Sequence, residues 1–97
     1  MIEMVHIDFQ VVPLRAQRFA DVYWPIVPRV MAYGAKGYAF YRGEDDPEQF
    51  RHESFWEDRA DFRRYWLSRE VSLTREKLLG LYEQPVIPSW ATILERG

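Results

Sequence analysis

Residues 5–11, VHIDFQV, alternate without a slip. In an extended chain Val5, Ile7, Phe9 and Val11 point one way while His6, Asp8 and Gln10 point the other. A period of two over this length points to a strand and demands a sheet with one apolar, covered face. The polar side must then meet either water, as in most half-buried strands, or the inside of a larger assembly. That choice decides whether the chain has an enclosed polar site.

Beyond this strand, Pro13 and Leu14 open LRAQRFADVYW, whose Leu14, Phe19, Val22 and Tyr23 fall near one helical face. Proline inside a helix removes an amide and clashes with the preceding turn. Pro25 and Pro28 therefore predict a helix that stops at Trp24, then a kinked piece, PIVPRVMAY, closed by Gly34. KGYAFYR and QFRHESFW read as two strands of a hairpin joined through GEDDPEQ. Glu57 or Asp58, with Asp61 following, caps a second helix carrying Phe62, Tyr65 and Trp66, with a break expected near Ser68 or Ser72. PVIPSWATILE supplies the last strand, whose beginning Pro85 and Pro88 keep out of a ladder. This order is the split βαβ arrangement of an α+β, ferredoxin-like fold, a four-stranded antiparallel sheet with its helices on one face. Residues 1–97 are expected to form one domain, with a second copy closing the open face in a homodimer.

Composition narrows the partners. A formal charge of -2, with basic residues scattered among acids, offers no phosphate-tracking surface, so nucleic acid is not expected. With no cysteine, disulfides and thiolate sites are absent. No segment has the length and hydropathy of a membrane span or a signal peptide, and a soluble cytoplasmic protein is expected. Aromatic residues make up 16% of the chain, including four Trp and six Tyr. Because Tyr and Trp join apolar bulk to a polar tip, they favour interfaces and ligand pockets.

The run FWEDRADFRRYW, preceded by GYAFYR and followed by EQPVIPSWATIL, resembles the antibiotic biosynthesis monooxygenase-like family of dimeric α+β barrels. The resemblance implies a homodimer and a cavity for a small organic molecule. It also implies an activity of the kind some members have, cofactor-independent oxidation of phenols. It further implies that Trp56, at the end of the third strand, faces the barrel. The asparagine used by the family's oxygenases has no counterpart, since the chain contains none, and the helix histidine of many members is replaced by Tyr65.

If Trp56 faces the barrel, His52 and Ser54 share its side of the strand, and Phe55 turns toward the helices. One cavity would then hold His6, Asp8 and His52 as proton-handling groups, since a histidine beside a carboxylate is the ordinary make-up of a general base. Tyr23, Trp24, Tyr41, Ser54, Trp56, Tyr65 and Trp66 are its expected walls. His6, Asp8 and His52 lack a diagnostic ligand spacing, so neither a metal nor another cofactor is expected. The alternative is a non-catalytic small-ligand-binding or dimerisation module whose interior is filled by its own rings.

Overall fold

A computed structural model describes all 97 residues. The alternating segment forms β1 (Glu3–Gln10), pairing antiparallel with β3 (Gln49–Trp56) on one side and with β4 (Ser89–Thr92) on the other. Strand β2 (Gly37–Arg42) adds outside β3, giving the order β2-β3-β1-β4. Helices α1 (Ala16–Tyr23), α2 (Arg59–Trp66) and α3 (Arg69–Lys77) follow the expected order, with the second helical region split in two.

The apolar side of β1 lies under the helices. Val5, Ile7, Phe9 and Val11 are each no more than 1% exposed, and burying a side chain of this size stabilises by roughly 1.5–3 kcal/mol. Phe9 sits at the centre of an aromatic packing unit, its ring centroid 4.9 Å from Phe19, 4.8 Å from Tyr23 and 5.1 Å from Tyr82.

Pro25 and Pro28 act as anticipated. Helix α1 gives way to two short 3-10 segments, Trp24–Ile26 and Pro28–Tyr33, and Gly34 ends the second at φ 108. Asp58 caps α2 by accepting from the Ala60 amide at 2.8 Å. Ser68 stops α2 from running on and caps α3, its hydroxyl accepting from the Val71 amide. The final strand is shorter than the sequence suggests. Residues 85–88 lie outside the ladder, as their prolines imply, but pairing also stops at Thr92, short of the expected Glu95.

The register corrects one expectation. Residues directly opposite in an antiparallel pair share a face, and His52 lies opposite Ile7, Ser54 opposite Val5, and Trp56 opposite Glu3. His52, Ser54 and Trp56 are therefore beneath the helices, while His6 and Asp8 pair with Glu53 and Arg51 on the open face. Phe55, expected toward the helices, is also on the open face, where the Arg96 guanidinium covers it at 4.6 Å.

Candidate functional site

Two polar groupings lie on opposite sides of the sheet. The inner one is centred on His52, 1% exposed and surrounded by rings: Tyr23 at 5.6 Å, Phe40 at 6.1 Å and Tyr65 at 6.5 Å between centroids. Its Nδ1 is 2.8 Å from the Tyr23 hydroxyl, which α1 carries down onto the sheet. Burial lowers the His52 pKa from 6.5 to about 4, opposed weakly by the Val27 backbone. The imidazole is neutral at physiological pH. Burial also holds the Tyr23 phenol well above its ordinary range, with smaller contributions from Tyr65 and Tyr82, so its proton stays on.

With both groups neutral, the bond can run either way, and the pairing of the remaining polar atoms decides the tautomer. With the Tyr23 hydroxyl donating to Nδ1, the proton of the ring resides on Nε2. The reverse arrangement would leave both the phenolic proton and Nε2 without partners. Nε2 makes no hydrogen bond of acceptable geometry. The Val27 backbone lies close enough to favour the protonated ring as an acceptor would, but Nε2 has no partner at hydrogen-bond geometry. A buried N–H left unpaired costs about 1–3 kcal/mol. Groups of this kind mark functional positions more often than ordinary packing does.

The surrounding side chains are tied down. Trp56 donates its indole N–H to the Ser54 hydroxyl at 2.8 Å. Tyr65 donates to the Ile26 carbonyl at 2.8 Å, fixing the 3-10 turn that lies over His52. Burial raises the Tyr65 phenol, with Glu70 and Tyr33 adding to the shift.

The outer grouping is more accessible. Asp8 accepts both arms of the Arg51 guanidinium at 2.6 and 3.2 Å, and its second oxygen is 3.2 Å from His6 Nδ1. That imidazole contact is close but not aligned as a hydrogen bond, since Nδ1 lacks a partner by angle. The Asp8–Arg51 pair, with each side chain more than two-fifths exposed, is worth about 0–1 kcal/mol. Tyr41 donates to Glu53 at 3.0 Å and, with Asp8 and Arg51, lines a shallow cleft of about 160 Å³.

Thus the seven expected wall residues divide. Tyr23, Ser54, Trp56 and Tyr65 surround or neighbour His52, Tyr41 lies on the open face, and Trp24 is largely exposed, 5.4 Å from Phe40. Trp66 stacks on Phe62, away from both histidines. Sequence reasoning missed Phe40, which closes one side of His52, whereas Arg51, one of the two arginines it allowed as a partner for Asp8, is the one that holds it. The even spacing of Tyr38, Phe40 and Arg42 carried the signal for Phe40. No three His, Asp or Glu side chains are grouped to hold a metal ion, and no helix is long and apolar enough to cross a membrane.

Residues 3–77 match the sequence profile described as Antibiotic biosynthesis monooxygenase. No curated protein matches the chain. Several solved structures share its fold at low identity. Rv0793 from Mycobacterium tuberculosis superposes with a TM-score of 0.83 at 15% identity, over 99% of this chain and 98% of the other. PA3566 from Pseudomonas aeruginosa gives 0.84 at 17%, over 97% and 95%. SnoaB, a cofactor-independent oxygenase from Streptomyces nogalater, gives 0.79 at 16%, over 98% and 95%.

Proposed function

Because the chain belongs to the antibiotic biosynthesis monooxygenase family, we propose that it oxidises a small hydroxylated aromatic molecule with dioxygen and without a cofactor. Its reacting end lies at His52. The observation that carries this reading is the unpaired Nε2–H of a neutral imidazole buried among aromatic rings. SnoaB has the same fold and is described as a cofactor-independent oxygenase.

The chemistry follows from the donor. An N–H fixed in a dry site stabilises a negative oxygen far better than it would in water, at no cost of reorganisation. Nε2–H would hold the oxygen of the substrate's ionised hydroxyl, and Tyr23, bonded to Nδ1, would keep the proton on Nε2. The low pKa suits this role, since a neutral ring remains a donor without becoming a buried cation. The aromatic anion passes one electron to dioxygen, and the resulting radical and superoxide combine at ring carbon. Loss of water from the peroxide leaves a quinone. In balance, one phenol and one dioxygen give one quinone and one water: the substrate would enter already ionised, its proton left to solvent, and that proton returns from solvent to the hydroxide expelled from the peroxide, giving the water. Because the site is filled by its own rings, the substrate would gain access only once the Tyr65–Ile26 bond opens and the turn around Val27 moves outward, a cost the bound anion's contact with Nε2 must offset. The open face, with its paired charges, would pack against a second copy of the chain.

The test is oxygen uptake with 1-naphthol and 1,5-dihydroxynaphthalene by wild type, His52→Phe and His6→Gln, with sedimentation to read the oligomer. Loss of one preorganised donor costs about 10²–10³ in rate. His52→Phe is expected to fall by that factor, and His6→Gln to stay within a few-fold of a dimeric wild type. Loss confined to His6→Gln would move the chemistry to the His6–Asp8 pair on the open face. A second reading, a non-catalytic ligand-binding or dimerisation module, is favoured by the ring-filled interior. It gains if no phenol supports oxygen uptake.

A further inference from the structure

Beside α2 and β4 lies a groove of about 340 Å³ lined by Arg59, Phe62, Arg63, Trp66, Pro88 and Trp90, together with Leu67. Neither His52 nor Tyr23 borders it. Its volume is in the lower range of small-molecule sites. Its rings make a corner. Trp66 is stacked parallel to Phe62, 15° between planes, and Trp90 stands at 86° to Phe62 with centroids 5.5 Å apart. Leu67, 65% exposed, extends the apolar rim.

The charges of this corner are unequal. Arg59 lies 4.7 Å over the Trp90 ring and gives both arms to the Glu3 carboxylate, so its charge is already answered. Arg63, one helical turn further along the same face, has a side chain with no hydrogen bond and no ion pair. No acidic side chain lines the groove. An apolar corner with one unanswered guanidinium complements a flat, singly charged anion, whose ring packs on indole and whose charge meets the planar fork. We infer that this groove binds a planar aromatic carboxylate, with Arg63 as its anion partner and Trp66 and Trp90 as its walls.

The probe is 2-naphthoate, with 2-naphthamide as its uncharged counterpart. Binding is read by calorimetry and by the indole N–H resonances of the four tryptophans. Trp66 and Trp90 are expected to shift on adding naphthoate. Trp24 is expected to stay in place, as is Trp56, whose N–H is occupied by Ser54. Arg63→Gln removes an exposed side chain without contacts to lose, so the variant is expected to fold. It is expected to weaken naphthoate about fivefold, as one exposed charge pair would, bringing it level with naphthamide. The proposal is overturned if naphthoate does not bind at millimolar concentration or if naphthamide binds wild type equally well. Unchanged affinity in Arg63→Gln, or shifts confined to Trp24 and Trp56, would overturn it as well.

Discussion

His52 carries a cost that pH can expose. Its pKa is lowered from 6.5 to about 4 by burial in the folded chain, while the unfolded chain titrates near the ordinary value. Between those limits the unfolded state binds a proton that the folded state does not. Stability is therefore full above about pH 6.5, falls as the pH drops, and levels off below about 4. At roughly 1.4 kcal/mol per unit, the loss is about 3 kcal/mol. Urea unfolding across this range is expected to show a steeper slope in wild type than in His52→Phe, since lowered carboxylates such as Glu70 contribute equally to both. Parallel slopes would contradict a neutral buried imidazole. The two faces of β1 were legible because all four of its alternate residues from Val5 to Val11 are apolar. Those of β3 were not. Its segment RHESFW places polar residues on both sides, and what makes the inner set tolerable is Tyr23, 29 positions away, and the Trp56–Ser54 bond. Such partners are brought by tertiary packing and leave no local period.

The helices were more readable than the strands. Two prolines, Gly34, Asp58 and Ser68 mark their ends through backbone chemistry that acts within a few residues, and each does so in the structure. The 3-10 segments matter because they bring the Val27 turn over His52, held by Tyr65 bonded to Ile26 and by Arg29 and Tyr33 bonded to Glu70. Gly34 sets the path of the chain out of that layer. At φ 108 a side chain is strained, and a Cβ there would lie 3.1 Å from Asp61 Oδ2. Gly34→Ala is expected to destabilise by about 1–2 kcal/mol, beyond the strain of a left-handed residue alone. Chemical unfolding within 0.3 kcal/mol of wild type would show that this turn relaxes freely. The last strand was overestimated because its apolar run, VIPSWATIL, resembles a longer one. Pro85 and Pro88 set where pairing begins, as expected, but the run continues through Ile93 and Leu94 while pairing ends at Thr92.

Taken as a unit, the chain divides its polar chemistry by the plane of the sheet. The α+β, ferredoxin-like architecture and the one-sided helical layer were legible in the order of elements. The expected single cavity was not, because one reversed strand face separates His6 and Asp8 from His52. The open side holds the Asp8–Arg51 ion pair, whereas the covered side holds the unpaired donor. The most direct measurement is the ¹⁵N resonance of each histidine as 1,5-dihydroxynaphthalene is added. His52 Nε2 is predicted to shift saturably while His6 stays in place. A saturable shift at His6 with His52 silent would contradict the account.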